Sequence, residues 1–490
     1  MFTNLLSWIV FSPLAAALVI LFVPKSKPGV CKWIATSVNA FALLLGMVLL
    51  FQFNPQEAGM QFLEDHTWIP QIGVHYLLGV DGISLPMVLL TLLLSFLACV
   101  GSFGIEEREK EYYFLYQLLV TGMLGTFTAL DLFLFYIFWE VVLVPMYFLI
   151  GVWGGPRKEY AAIKFFLYTL GGSLFMLLGI LALYFHSTPH TFSMLELGKA
   201  AYPKLFGQLV FMAFFLGFAI KVPIFPFHTW LPDAHVEAPT PISVLLAGVL
   251  LKMGTYGFLR ISYPILPEAA YWFRPVMGIL AVVNIIYGGF VALAQKDFKK
   301  MIANSSVSHM GFILLGLAAF TTDGFNGALL QMFNHGTITG GLFLLVGVLY
   351  DRAHLRDLDA FGGLGARMTV YSGILIYFSL ASLGLPGLSG FVSEFLCLLG
   401  TFPVYKTLTF LALIGIILAA AYLLYMIQRV LLGALNPRWS QLPDINGREI
   451  FTLAPLMVII LIFGVYPQWI LDYLTPALGT LLTQMGSLLP

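Results

Sequence analysis

The 490-residue sequence is short of charge. Asp, Glu, Lys and Arg make up 10% of it, against roughly 25% in a soluble domain. Acids and bases cancel at 24 each, so there is no basic surplus to hold a nucleic acid. Cysteine is rarer still. Cys31, Cys99 and Cys397 stand alone, in or beside apolar runs. With no CxxC pair and no His/Cys cluster, the chain lacks the ligand patterns of zinc, haem or iron–sulfur sites. No long polar stretch is present to house a nucleotide-binding or redox domain. The first apolar run, Leu5 to Val23, is not preceded by Lys or Arg. It therefore lacks the positive start of a cleavable signal peptide and reads as a retained helix.

Apolar residues are abundant: the chain is 60% hydrophobic, with a mean hydropathy of +0.92. An all-α polytopic membrane protein is expected, with residues 1–490 as a single membrane domain. A spanning helix takes about 20 mostly apolar residues. That ruler gives fourteen spans: 4–23, 31–53, 83–104, 112–130, 132–152, 161–186, 206–231, 238–261, 269–294, 301–320, 326–350, 367–402, 406–432 and 450–473. The stretch 474–490 reads as a short interfacial helix. Trp8, Trp68, Trp153, Trp230, Trp272 and Trp469 fall near span ends, where tryptophans anchor at the interface.

The basic residues test the count. With fourteen spans, one side collects seventeen Lys and Arg and the other only Lys199, Lys204, Arg260, Arg274 and Lys406. Such a bias is the positive-inside pattern, and it puts both termini on the outer side. The loop 54–82 carries Glu57, Glu64, Asp65 and Asp81 without Lys or Arg, as an outer loop should. Asp297 with Lys296, Lys299 and Lys300 reads as a solvated loop on the other side.

Two spans are interrupted. The seventh carries Lys221-Val-Pro-Ile-Phe-Pro-Phe-His, the twelfth Gly384-Leu-Pro-Gly-Leu-Ser-Gly. Proline removes a backbone donor and glycine loosens a helix. In a membrane, backbone groups freed this way persist only where protein or a wet cavity surrounds them. Paired broken spans at matching positions mark the inverted repeats of transporters. Spans 4–8 (112–261) and 9–13 (269–432) are the expected repeats. Their odd helix number inverts the second relative to the first.

Four ionisable residues lie within apolar runs: Glu140, Lys221, Lys252 and Glu394. A charge at the centre of a membrane helix costs at least ~3 kcal/mol, so such residues default to function. Protons or cations are the obvious cargo. A membrane lysine poised between desolvation and a carboxylate can load and release a proton. The alternative, snorkelling to the headgroups, is hard for Lys252 because of its depth in the span. Glu140 is expected to tune Lys221. At about 7 Å and an effective dielectric near 20, the coupling would be roughly 2 kcal/mol. Its alternative is a neutral carboxyl hydrogen-bonded inside the bundle. Glu394, at the second break, is expected to be a terminal proton site, or else a cap for half-helix backbone groups. His309 and His335 sit mid-span and could relay protons near neutral pH, as could His228 beyond the first break. Buried histidines also serve as hydrogen-bonded structure, and that alternative stays open for all three.

Four segments together resemble a known family: FWEVVLVPMYFLIGVWGG, FAIKVPIFPFHTWLPDAHVEAPTPISVLLAGVLLKMGTYG, SSVSHMGF and NHGTITGGLFLL. They are similar to the antiporter-like membrane subunits of respiratory complex I, the proton-translocating NADH:quinone oxidoreductase. Multisubunit cation/proton antiporters and membrane-bound hydrogenases share this superfamily and give the alternative function. Glu394 in LPGLSGFVSEF stands where most branches have lysine. This resembles the branch called M or chain 4, together with its counterpart in the cyanobacterial and chloroplast enzyme.

The resemblance implies a fourteen-helix fold and a proton path through Glu140, Lys221, Lys252, His309, His335 and Glu394. It implies no cofactor in this chain, with NADH, flavin, iron–sulfur clusters and quinone held by partner subunits. Those partners are other membrane subunits of complex I, especially two sibling antiporter-like subunits. The expected setting is a bacterial inner membrane, with a thylakoid-type membrane as the alternative.

Overall fold

The computed structural model describes residues 4–24 and 26–488. In chain order the elements begin with α1 (Leu5–Phe22), α2 (Gly29–Gln52), β1 (Gln61–Ile69), β2 (Val74–Val80) and α3 (Ser84–Gly101). Then come α4 (Glu109–Thr128), α5 (Leu132–Trp153), α6 (Lys158–His186), α7 (Met194–Leu197) and α8 (Lys204–Lys221). Next are α9 (Trp230–Glu237), α10 (Thr240–Leu245), α11 (Leu251–Gly257), α12 (Tyr263–Ile265), α13 (Pro267–Leu293), α14 (Phe298–Ala319) and α15 (Thr322–Ala353). The last are α16 (Thr369–Ser382), α17 (Ser389–Thr401), α18 (Lys406–Leu431), α19 (Gly447–Val465) and α20 (Gln468–Leu488). Among the described residues, twelve helices are long and apolar enough to cross a membrane. The other two expected spans fall on α4, whose first turn carries Glu109 and Glu111, and on the short pair α16 and α17.

The helices begin where the sequence supplies caps. Asp131 accepts from the Phe133 and Leu134 amides to start α5. Asp297 accepts from Lys300 to start α14, and Thr321 from Gly324 to start α15. Asn446 and Glu449 form a reciprocal capping box at α19. Each cap satisfies amides that a helix N-terminus leaves unpaired.

Four sequence expectations need correction. The span 450–473 is not continuous: α19 ends at Val465 and α20 starts at Gln468. Tyr466, which precedes Pro467, adopts a non-helical φ of −131° and ψ of 69°, because proline crowds the α conformation of the residue before it. The terminal helix is therefore 21 residues long rather than a short tail. Trp230 is no interface anchor, because it is fully buried. Lys299 is no solvated loop residue, because it lies in the first turn of α14 and is 4% exposed.

The chain divides into two compact units. Unit one holds Met1–Val222, Val249–Pro275 and Asp472–Pro490, and unit two holds Pro223–Gly248 and Val276–Leu471. In unit one, α4 packs on α1 and α5, and α6 packs on α5 and α8. The 54–82 loop is an antiparallel hairpin of β1 and β2, turning through Gly73 at φ +66°. Glu64 in β1 is buried and accepts from the Leu6 amide at 2.8 Å. A carboxylate at the N-terminus of α1 also complements the helix dipole.

In unit two, α15 packs on α14, α16, α17 and α19. The spanning windows of α14 and α15 are wholly buried, so their Ser, Asn, Gln and His residues face protein rather than lipid.

Candidate functional site

Unit one carries Glu140, Lys221 and Lys252. Lys221 is the last residue of α8, and Val222 closes that helix just before Pro223. The side chain is 2% exposed. Its Nζ sits 5.3 Å from the Trp139 ring centre and 5.7 Å from that of Phe165. Cation–π contacts of this kind partly offset the lost hydration of an ammonium. Glu140 follows Trp139 on α5 and is the charged group acting on Lys221. Glu140 Oε1 is buried and accepts no hydrogen bond among the described residues.

Lys252 is 0% exposed. It lies in α11, which is bracketed by π-helical turns at Leu246–Leu250 and Phe258–Ser262. Such turns rotate the side chains beyond them out of α-helical register and recur at functional sites. α11 reaches α8 closely through Gly254. A Cβ there would lie 2.8 Å from the Phe218 carbonyl oxygen and 2.6 Å from Val222 Cγ2. Glycine thus lets the helix bearing Lys252 pack against the helix that ends at Lys221.

Unit two gathers His309, His335 and Glu394 around one point. Its helix break runs from Ser382 to Ser389 and turns at Gly384 and Gly387, with φ +82° and +94°. Glycine takes these left-handed values without a Cβ penalty. Gly390 brings α17 against the end of α16, where a Cβ would overlap the Ala381 carbonyl oxygen.

Glu394, 4% exposed, lies on α17 just past this break. Its Oε1 is 2.7 Å from His309 Nδ1 and accepts from Gln331 Nε2 at 3.0 Å. His309 Nε2 has Ser382 Oγ and the Tyr422 hydroxyl each at 3.2 Å. The His335 ring centre is 5.8 Å from that of His309. A cavity of about 10 Å³, near the room that one water needs, is lined by His309, Gln331, His335, Thr339, Ser382 and Glu394. The groups are thus close enough to exchange a proton directly or through one water.

His228 is not among the residues lining that cavity. Its ring lies on Phe225 at 5.7 Å and edge-on to Tyr287 at 5.1 Å. The backbone freed by the two prolines here is held by Asn284, which accepts from the Phe225 amide and donates to the Pro223 carbonyl.

Against this geometry stand the relatives. Residues 129–420 match the family model described as NADH:quinone oxidoreductase/Mrp antiporter, TM. The chain is 46% identical to NADH-quinone oxidoreductase subunit M of Rhodobacter capsulatus, over 98% of this chain and 96% of that one. The chain belongs to the NADH:quinone oxidoreductase/Mrp antiporter membrane family. It is also 44% identical to NAD(P)H-quinone oxidoreductase chain 4 1 of Synechococcus sp. (strain JA-3-3Ab), over 94% and 90% of the two chains. A chain of respiratory complex I from Thermus thermophilus with bound NADH superposes with a TM-score of 0.91. It is 31% identical, with 98% of this chain and 100% of that chain covered. The Rhodobacter and Synechococcus relatives carry the names expected of the branch marked by Glu394.

Within this family member, several polar residues escape a reading of the sequence. Gln331, Ser382 and Tyr422 complete the Glu394–His309 group, yet each is a neutral residue in an apolar helix and gives no cost signal. The sequence counts Arg260 with the outer-side basic residues, at the end of the span 238–261, and places Asp81 in an outer loop. Both are buried, paired at 2.5 Å between Arg260 Nη2 and Asp81 Oδ1. Asp81 Oδ1 also accepts from the Ile83 and Ser84 amides, and the Tyr256 hydroxyl receives Arg260 Nε. Lys252, Tyr256 and Arg260 follow at four-residue spacing within that span, a signal that could have set Arg260 on the Lys252 side of the helix rather than among the outer basic residues.

Proposed function

We propose that the chain is a proton-translocating, non-redox subunit of an NADH:quinone oxidoreductase. Its protons load and leave at Glu140, Lys221 and Lys252 in unit one, and at His309, His335 and Glu394 in unit two. The observation carrying this reading is that each helix break holds a buried ionisable residue beside a second one. Lys221 lies over the ring of Trp139, the neighbour of Glu140 on α5, and Glu394 bonds His309. Intramembrane charges of both signs at irregular backbone are the mark of an ion path.

Protons suit the site better than a metal cation. The neighbours of Glu394 Oε1 are the Gln331 amide and an imidazole nitrogen, which compete for the oxygen a cation would need. Hard cations instead gather several oxygen ligands.

The driving step is electrostatic. Glu140 lines a shallow groove with Leu118, Tyr136, Ile137, Val141 and Val144 on the surface of unit one. A charge change in a neighbouring subunit at this groove alters the hold of Glu140 on Lys221, and the lysine gains or releases its proton. NADH, flavin, iron–sulfur clusters and quinone belong to the partner subunits, which include two antiporter-like siblings. The other neighbour is lipid, and nucleic acid has no part. The chain resides in a bacterial inner membrane with both termini outward.

The test uses membrane vesicles of the parent, Lys221→Ala and Glu140→Ala. Proton uptake driven by quinone reductase activity is expected to fall about a hundredfold in each, the lower reach of lost acid–base function. Full uptake in both variants rejects the reading.

A further inference from the structure

A second buried charge cluster lies in unit two, where α9 meets α14. Lys299 Nζ donates to the Ala238 carbonyl oxygen at 2.5 Å. Ala238 ends α9, and the backbone there is extended through Pro239. Glu237, also buried, acts on Lys299 together with Asp297, Asp351 and Arg356. Arg356 donates to the Val236 carbonyl at 2.7 Å and lies 3.3 Å from Asp297. Lys299 and Arg356 therefore both bond the carbonyl end of α9, beside Glu237 and Asp297, on the loop side richest in basic residues.

The cluster leads inward. His235, two residues before Glu237, is fully buried and stacks on Phe343 at 4.7 Å. Phe343, Thr339 and His335 recur every four residues along one face of α15. Thr339 and His335 line the cavity that holds Glu394 and His309. The face of α15 on which His235 stacks thus leads to the Glu394 site.

We propose that Lys299 and Glu237 form a proton mouth of unit two, passing protons by way of His235 and His335 to Glu394. This rests on the proton-translocating reading above. A plain structural role competes with it. Lysine near a helix C-terminus commonly bonds the last carbonyls, and arginine would do so equally. Arginine, however, does not give up its proton at working pH.

The experiment compares proton uptake and complex assembly in membranes carrying Lys299→Arg, Glu237→Gln and His235→Phe, with Lys221→Ala alongside. Lys299→Arg preserves a donor to Ala238, and His235→Phe preserves the stack on Phe343. The expected result is normal assembly with uptake lowered about a hundredfold in each. Parental uptake in Lys299→Arg means a helix cap only and overturns the proposal. Should Lys299→Arg fail to assemble, Glu237→Gln decides by the same criterion. If Lys221→Ala loses uptake while these variants keep it, the mouth is wrong and the proton-translocating reading stands. If Lys221→Ala also pumps fully, both fall.

Discussion

His309 Nδ1 lies 2.7 Å from Glu394 Oε1, joining residues 85 positions apart in the chain. The bond couples an imidazole to a carboxylate where neither has easy access to water. A proton arriving at either one changes the charge felt by the other, which is what a terminal exchange site requires. The Gln331 amide donates to the same oxygen.

Glu394→Gln keeps the volume and one hydrogen bond but removes the acid. Proton uptake in vesicles is expected to fall about a hundredfold, with assembly unchanged on native gels. Glu394→Asp retains the acid on a shorter arm and should restore part of the uptake. Equal uptake in the parent and Glu394→Gln would show that no acid is needed there.

Gly254→Val tests the packing that carries Lys252. The added side chain meets the Phe218 carbonyl and Val222, and backbone cannot retreat as a flexible side chain can. Overpacking of this kind costs about 1–3 kcal/mol. The melting temperature of the detergent-solubilised complex should fall, while Gly254→Ala falls less. Unchanged melting in Gly254→Val would mean that α8 and α11 are not in tight contact.

The Arg260–Asp81 pair predicts non-additivity. Removing one partner strands a buried charge and costs about 3–5 kcal/mol, whereas replacing both by apolar residues is often neutral. Arg260→Leu and Asp81→Leu should each reduce the assembled complex strongly, and the double variant should recover much of it. A double variant as damaged as the sum of the singles contradicts a pair in contact.

The sequence made some of this legible and hid the rest for physical reasons. Glu140, Lys221, Lys252 and Glu394 announced themselves through cost, since apolar neighbours make a charge conspicuous. The breaks at Pro223 and Gly384 were equally plain, because proline and glycine act on their own backbone. Gln331, Ser382 and Tyr422 were silent. Neutral polar residues in membrane helices often bond their own helix, as Ser372 bonds the Met368 carbonyl at 2.7 Å. Only the fold reveals which of them turn toward a partner.

Lys299 misled because it stands in a charged run with Lys296 and Lys300, and local composition cannot tell a solvated lysine from one drawn into a helix end. Asp81 and Arg260 misled for a different reason. Each lies near a span boundary, and the bond between them closes a separation of 179 residues. The hairpin of β1 and β2 went unread within an acidic loop whose strands carry little alternating pattern.

The central claim is that the Glu140–Lys221 pair converts a neighbour's charge into proton movement. The most direct measurement is the number of protons moved per electron by the purified complex in sealed liposomes, using its own electron donor. Lys221→Met removes the titrating group and keeps an apolar stem. A lower proton-to-electron ratio is expected for Lys221→Met than for the parent, with quinone reduction continuing. A ratio equal to the parent's, at equal complex content, contradicts it.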